Sequence, residues 1–174
     1  MNKRLVMVVL IAVLAAFTVA CASRAGKAPK AASGKGITMY VLIDQGIDKS
    51  FSDYQVKNRQ QVGDWMEQDL PQVLKSAGYD ARLIKKRSEY KPAQDAYLLA
   101  VKITNYNPGS KAARMVVGFG AGAASMDTHY ELFGKGSKAI LSGDPSVGSG
   151  RDWRNVIRKI NEITVKDVSQ KLSK

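Results

Sequence analysis

The fold of this chain is decided by the stretch Val116-Val117-Gly118-Phe119-Gly120-Ala121-Gly122-Ala123-Ala124. Its Gly118, Gly120 and Ala123 satisfy the relaxed pattern G-x-G-x-x-A, which opens a helix in dinucleotide-binding folds, and Asp144 follows about 20 residues later, where a ribose-binding acid could lie. A helix that began there would carry one aligned row of side chains: Ala123, Met126, Tyr130 and Phe133. The stretch therefore allows a dinucleotide-binding fold as one interpretation.

The residues after this stretch favour a strand instead. Asp127, His129 and Glu131 alternate with more buried residue types, which is the two-residue period of a strand. The pattern itself is short and permissive, and residues 1–20 have the layout of a secretory signal, behind which a nicotinamide cofactor is not expected. We therefore expect no cofactor, and a strand within residues 114–133 in which the three glycines share one bare face. That face either packs closely inside the domain, which we favour, or docks a partner.

The hydrophobic pattern on either side of this stretch predicts the other elements. Strands are expected at residues 37–43, 79–86, 94–105 and 137–142, with helices at 56–77 and after Asp152, and a loop at 143–150. Gly78 should end the first helix, and Pro71 should kink it or break it, with Asp69 capping the second half. The order β-α-β-β-β-β-α predicts an α+β fold: a mixed, mainly antiparallel sheet of about five strands with two helices on one face.

The first twenty residues have the layout of a secretory signal. Lys3 and Arg4 supply positive charge, Leu5 to Phe17 is apolar, and Thr18-Val19-Ala20-Cys21 ends the segment. The apolar run is shorter than the ~20 residues that a membrane-spanning helix needs. The last four residues resemble the lipobox of bacterial lipoproteins, although Thr18 stands where Leu is usual. The resemblance implies cleavage before Cys21 and acylation of its thiol and amine.

Three segments are expected along the chain: a signal peptide (1–20), the acylated cysteine with a flexible tether (21–36), and a single α+β domain (37–174). The residues after Cys21 are Ala22 and Ser23, as in lipoproteins that are sorted to the outer membrane. We therefore expect an outer-membrane lipoprotein that faces the periplasm, with inner-membrane retention as the less favoured alternative.

The charge of the mature chain limits its partners. Removing Lys3 and Arg4 from 27 basic residues leaves 25 against 15 acidic residues, which gives a net charge of +10. In the envelope this charge favours anionic lipid or an anionic polymer over nucleic acid. The lipid bilayer, through acylated Cys21, and an envelope protein or anionic polymer are the expected partners.

Four parts of the chain carry a family resemblance. They are Ile103-Thr104-Asn105-Tyr106-Asn107-Pro108-Gly109, the basic residues from Lys111 to Arg114, Val117-Gly118-Phe119-Gly120-Ala121-Gly122, and the strand that follows. Together they resemble a family of bacterial lipoproteins known as domain of unknown function 4410, over most of Ile37 to Leu172. Phe133-Gly134-Lys135-Gly136 departs from the Asp and Thr-Gly that are usual in its hairpin. The resemblance implies an architecture, with a strand at the glycine run, and no established activity.

No set of residues predicts an enzyme. His129 is the only histidine, and Asp127 and Glu131 would project in parallel beside it, which strains a three-ligand metal site. Cys21 is used by acylation. We expect no catalytic residue and no metal, and the least favoured alternative is a metal-dependent hydrolase around His129.

The leading hypothesis is a non-enzymatic, membrane-anchored envelope lipoprotein that binds a partner protein or an anionic envelope polymer. The alternative is an accessory subunit of a trans-envelope export or assembly complex, in which small α+β domains pack in rings. The candidate interaction surface consists of Gly118, Gly120, Gly122, Lys111 and Arg114. Trp65, Trp153 and Tyr97 are expected in the core, whereas five tyrosines stay open as parts of a sugar-binding platform: Tyr40, Tyr54, Tyr79, Tyr90 and Tyr106.

Overall fold

The computed structural model describes residues 34–110, 122–150 and 152–173. Within those ranges, six strands form one sheet: β1 Thr38–Asp44, β2 Asp80–Ile84, β3 Ala96–Asn107, β4 Ala124–Phe133, β5 Ala139–Gly143 and β6 Ser146–Ser149. Two helices accompany them, α1 Asp53–Ser76 and α2 Trp153–Leu172, and a short 3₁₀ helix covers Arg87–Glu89. The predicted α+β fold is confirmed, with one more strand than expected.

The sheet is mixed and mainly antiparallel, as predicted. Its order is β2-β1-β3-β4-β5, and β6 also pairs with β4, beside β5. β1 runs parallel to both β2 and β3, whereas β4 runs antiparallel to β3, β5 and β6. The sixth strand, Ser146–Ser149, lies where the sequence analysis expected a loop. That expectation was wrong because Ser-Val-Gly-Ser lacks an apolar period, and pairing with β4 alone holds it in the sheet.

The two helices pack on one face of the sheet and bury the main core. Alternate residues of β1, β3 and β4 contact the apolar stripes of both helices, and the fully buried members include Met39, Val41, Met66, Leu70, Leu99, Ile103, Met126, Leu132, Ile157 and Ile160. Burial of each such side chain contributes about 1.5–3 kcal/mol. A smaller cluster of Ile84, Leu98 and Phe133 lies apart from this core, with Tyr90 packed against it.

Helix α1 begins and ends at residues that the sequence marks for those roles. Ser52 and Gln55 form a capping box, in which Gln55 N donates to Ser52 Oγ and Ser52 N donates to Gln55 Oε1 at 2.9 Å. Gly78 follows the last turn with φ +93°, a conformation that suits glycine, so the predicted stop is confirmed.

Pro71 does not break α1, which continues from Asp53 to Ser76. The predicted break was therefore wrong, while a kink stays a prediction. The carboxylate of Asp69, which we expected to cap a second helix, instead binds two side chains of α2. Arg158 Nε and Asn161 Nδ2 each donate to it at 2.8 Å. Packing against α2 thus offsets the hydrogen bond that the proline cannot make.

Helix α2 begins as predicted, with Asp152 accepting a hydrogen bond from Arg154 N at 3.2 Å. Within this helix Thr164 is buried and the neighbouring Ile163 is exposed. No helix within the described ranges is long and apolar enough to cross a membrane.

The stretch after the glycine run forms a strand, so the helix that a dinucleotide-binding fold requires is not formed. Side chains of β4 alternate between half-buried and buried along its length, as the two-residue period predicted. Gly122 lies before this strand, in a turn with φ +68°, so the prediction that it belongs to a glycine strand face was wrong. Gly118 and Gly120 lie outside the described residues, as do Lys111, Arg114 and Cys21.

Candidate binding cleft

A cleft of about 380 Å³ lies between the beginning of α1 and the end of β3. Three aromatic rings, four side-chain amides and one arginine account for most of its lining: Phe51, Tyr54, Gln55, Asn58, Arg59, Thr104, Asn105, Tyr106, Asn107 and Pro108. Residues 51–59 and residues 104–108 are about 45 residues apart in sequence, and the packing of the helix and the sheet brings them together. We call this set of ten residues the cleft.

Arg59 joins the helix to the strand at the floor of the cleft. It is 6% exposed, and its Nη1 and Nη2 donate to the backbone oxygens of Ile103 and Thr104 at 3.1 and 3.2 Å. Its guanidinium also lies 5.6 Å from the ring centroid of Phe51. It forms no ion pair with a described carboxylate, and burial lowers its pKa. A buried cation with neutral partners therefore lies beside the cleft.

Gly46 makes room for this contact. Its φ is +61°, and a Cβ at this position would lie 1.9 Å from the backbone oxygen of Ile103, which accepts the hydrogen bond from Arg59. Only glycine suits both the conformation and the space. The turn after β1 thus depends on the same carbonyl as the floor of the cleft.

The amides keep open hydrogen-bonding positions. Asn58 Nδ2 donates to Tyr54 O at 2.8 Å, and Asn107 Oδ1 accepts from Gly109 N at 2.9 Å. Each amide has both donors and an acceptor. Asn58 Oδ1 and Asn107 Nδ2 therefore have no partner among the described residues and are available to a ligand.

The two tyrosines of the cleft lie in different environments. Tyr54 is 67% exposed, whereas Tyr106 is half-buried against the core. Burial raises the pKa of Tyr106 to about 12, and the charges of Tyr54 and Asp152 contribute in the same direction. Tyr106 is therefore a neutral hydroxyl and an apolar ring at physiological pH.

A second aromatic group joins the two helices where α2 begins. Trp65 and Trp153 contact each other edge to face, with ring centroids 5.9 Å apart. The guanidinium carbon of Arg154 lies 5.0 Å from the Trp65 ring and 5.3 Å from the Trp153 ring. Both rings are half-buried, which is less burial than the sequence analysis expected. We call these three residues the tryptophan–arginine group.

The acidic residues beside His129 do not gather around it. His129 Nδ1 pairs with Asp144 Oδ1 at 2.7 Å, whereas Asp127 accepts from Ser146 Oγ at 2.5 Å and Asn105 Nδ2 at 3.1 Å. Among the described residues, no group of three or more His, Cys, Asp or Glu side chains is placed to hold a metal ion. The predicted parallel projection from one strand accounts for this arrangement.

The five open tyrosines fall into three places. Tyr54 and Tyr106 line the cleft. Tyr40 and Tyr90 contact each other at 5.4 Å beside the smaller cluster, and Tyr79 is buried, with its hydroxyl donating to Ser169 Oγ. Only the first pair is placed to contact a ligand in the cleft.

Arg59 and the amides of the cleft were not predicted from the sequence. Arg59 lies three residues before Val62, on the apolar stripe of α1, and a charged residue on such a stripe signals a buried polar contact. That signal was available. The amides gave none, because asparagine and glutamine on a helix or a turn are usually solvated.

Comparison with known proteins identifies a matching family and solved structures with a similar fold. The model of the family described as Domain of unknown function (DUF4410) matches residues 42–147, which include the whole cleft. A PelC dodecamer from Paraburkholderia phytofirmans has a TM-score of 0.51 and 12% identity, over 82% of this chain and 91% of that chain. A variant PelC dodecamer from the same species has a TM-score of 0.50 and 14% identity, over 74% of this chain and 88% of that chain.

A third solved structure is less similar. The candidate neuraminyllactose-binding hemagglutinin homologue from Helicobacter pylori has a TM-score of 0.35 and 15% identity, over 82% of this chain and 89% of that chain. No curated protein sequence matches the chain. The two PelC structures show a shared fold.

Proposed function

This chain belongs to the DUF4410 family, and on that premise we propose that it is a non-enzymatic envelope lipoprotein whose domain binds an acidic polysaccharide. One observation carries the proposal: aromatic rings, amides and an arginine converge on a cleft whose lining contains no carboxylate. The sequence led us to expect a partner protein or an anionic envelope polymer, and an acidic polysaccharide is a narrower choice of ligand within that expectation.

The lining matches the chemistry of sugars. The rings of Tyr54 and Tyr106 offer apolar surfaces on which the C–H face of a sugar can stack, with a hydroxyl at the edge. The open amide atoms of Asn58 and Asn107 can pair with sugar hydroxyls, which both donate and accept. Flat apolar surface with a few fixed polar groups is the usual composition of a ligand site.

The charge of the cleft favours an acidic ligand. Arg59 is buried beside it without a carboxylate partner among the described residues. A buried cation is costly unless it is paired, and a nearby carboxylate or phosphate of a ligand would offset that cost. The net charge of +10 for the mature chain attracts the same ligands over a longer range.

The lining also supports a binding role over a catalytic one. It contains no Asp, Glu, His, Cys or Lys. Glycoside hydrolysis ordinarily needs a pair of carboxyl groups, and acid–base catalysis needs a titratable group within hydrogen-bonding distance of the substrate. The residues that line this cleft can hold a sugar chain and have no group to transfer a proton near neutral pH.

The anchor is part of the proposal. Acylation of Cys21 would attach the domain to the outer membrane, facing the periplasm, with inner-membrane retention as the alternative. The test is membrane fractionation of natively expressed protein and of Cys21→Ser, together with the mass of the mature chain. We expect acylated wild-type protein in outer-membrane fractions and soluble Cys21→Ser. Wild-type protein without acyl mass would contradict the anchor.

Binding is tested by calorimetric titration of the domain with oligosaccharides of galacturonic acid. Removal of one stacking ring should weaken binding about three- to tenfold, so Tyr54→Ala should show that loss. Asn58→Ala should weaken binding by a smaller factor. Gln60→Ala is the matched control, because this exposed amide lies on the same helix and outside the cleft.

Two results would contradict this function. If the wild-type domain binds no acidic polysaccharide at low salt, the proposed class of ligand is wrong. Equal losses in Asn58→Ala and Gln60→Ala would show that the helix surface, and not the cleft, determines the affinity.

A second candidate function is a subunit of a ring in a trans-envelope export or assembly complex. The observation that favours it is the shared fold with two PelC structures described as dodecamers. The test is the mass of the acylated protein in detergent by light scattering. A defined oligomer supports this candidate, and a strictly monomeric acylated protein removes it.

A further inference from the structure

Arg154 holds a positive charge without an acidic partner. Its guanidinium lies over the indoles of Trp65 and Trp153, and it pairs with no carboxylate among the described residues. Arginine side chains that lie near carboxylates usually pair with them through two parallel hydrogen bonds. Here the contacts are ring faces, which leave the N–H donors of the guanidinium open.

The two indoles also restrict the orientation of Arg154. An arginine on an open surface loses side-chain entropy when it binds an anion. Contacts with two rings that themselves pack edge to face, at an interplanar angle of 78°, reduce the freedom that remains to be lost. A guanidinium that is already oriented binds an oxyanion with less entropic cost.

The tryptophan–arginine group lies along the same surface as the cleft. Trp65 follows Tyr54 by eleven residues on α1, which is three turns within about 20° and an axial distance of roughly 16 Å. Asn58 and Gln61 occupy the turns between them on that face, and neither is fully buried. A polymer that lies in the cleft and continues along α1 would therefore reach Arg154.

We propose that Arg154, oriented by Trp65 and Trp153, binds an oxyanion of the same polymer that occupies the cleft. This inference rests on the proposed function and deepens it. The ligand is then a chain of several sugars that carries carboxylate or phosphate groups, with one end contacting Tyr54 and a more distant acidic group contacting Arg154.

Tryptophan fluorescence reports directly on this group, because Trp65 and Trp153 are the only two tryptophans in the sequence. The probes are a hexamer of galacturonic acid, its carboxyl-reduced counterpart, and a hexamer of glycerol phosphate. We expect the galacturonic acid hexamer to change the emission of the wild-type domain. Arg154→Gln should bind that hexamer about tenfold more weakly and bind the carboxyl-reduced hexamer as the wild type does.

Lys159→Gln is the matched control, because it removes one exposed positive charge from the same helix away from the two indoles. It should leave the affinity for the acidic hexamer nearly unchanged. Arg154→Lys should restore only part of the affinity, since lysine cannot form two parallel hydrogen bonds. If only the glycerol phosphate hexamer depends on Arg154, the site binds a phosphate polymer without sugars, which contradicts the proposed ligand.

Three results would overturn the inference. Arg154→Gln could weaken the acidic and the reduced hexamer equally, which would indicate a structural role. Lys159→Gln could weaken binding as much as Arg154→Gln, which would indicate bulk charge alone. Arg154→Gln could also bind every hexamer as tightly as the wild type while Tyr54→Ala does not, which would remove this contact and keep the cleft. Wild-type protein that binds no probe contradicts the proposed function itself.

Discussion

Arginines of α1 and α2 lie at two levels along the helices, and the partners of those arginines differ. Near the cleft, Arg154 lies over two tryptophan rings and Arg59 donates to backbone carbonyls. One turn further along α2, Arg158 pairs with Asp69, a carboxylate that is only 6% exposed. The second level has its own counter-charge, and the first level has none among the described residues.

The difference in partners distinguishes the arginine that stabilises the fold from the two arginines that we propose to contact a ligand. Asp69 would be a costly buried charge without Arg158 and Asn161, so that contact has to be satisfied within the fold. Arg59 and Arg154 are satisfied by neutral groups, which leaves their charge available to an acidic ligand. The same residue type therefore fixes the helix pair at one level and, in the proposed function, binds the ligand at the other.

The largest expected effect on stability comes from a substitution at Gly46, beside the cleft. Gly46→Ala places a methyl group against the Ile103 carbonyl and imposes a positive φ on alanine. We expect a loss of about 3 kcal/mol of unfolding free energy from strain and overlap together. Urea unfolding measures it, and binding of acidic oligosaccharide should weaken as well. A loss below about 0.5 kcal/mol, which is the usual size of a surface substitution's effect, would show that the turn adjusts freely.

The next largest effect on stability is expected at the contact between Arg158 and Asp69. Arg158→Ala leaves Asp69 with one partner, and we expect a loss of about 2 kcal/mol, because water can replace part of the half-exposed guanidinium. Arg154→Ala should cost less, about 0.5–1 kcal/mol in the same urea measurement, because it removes only exposed cation–π contacts. Equal losses in the two variants would remove the distinction between the two levels.

A smaller effect of opposite sign is expected at Thr164, inside the helix–sheet core. Its Oγ1 is buried and has no hydrogen-bond partner among the described residues. Thr164→Val replaces the hydroxyl with a methyl group of similar size and should raise the unfolding free energy by about 1 kcal/mol. Thermal unfolding should show a higher Tm, and a lower Tm would reveal a partner for the hydroxyl.

The last effect appears only at alkaline pH. The pKa of Tyr106 rises from 10.0 to about 12 on folding, so the unfolded chain loses this proton first. The stability that Tyr106 contributes is complete below pH 10 and declines between pH 10 and 12. In urea unfolding, Tyr106→Phe should show a shallower decline over that interval. Burial also raises the pKa of Tyr130, so some decline should remain. An unchanged slope would contradict the burial of the Tyr106 phenol.

Local patterns in the sequence predicted most of the fold. Alternation along residues 127–132 identified β4, Gly78 marked the end of α1, and Asp152 marked the beginning of α2. The failures have physical causes. Pro71 lies within a helix that its neighbour supports, and β6 depends on pairing with β4 rather than on its own sequence.

The cleft could be predicted only in part. Its aromatic members Tyr54 and Tyr106 were considered as sugar contacts, but nothing in the sequence placed them together. Residues 51–59 and 104–108 meet because β3 runs beside β1, which leads into α1, and that arrangement is tertiary. The tryptophans were expected to be buried because periodicity identifies the face of a helix and not how far its edge is covered.

The position of Gly34 has a consequence for how far the domain can reach. The chain enters the domain there, against Tyr79 and just after the last turn of α1, whereas the cleft lies at the first turn. With 24 residues, α1 spans about 36 Å. Gly34 and the cleft therefore lie near opposite ends of this helix, so α1 acts as a spacer that sets the distance between the described start of the domain and a ligand in the cleft.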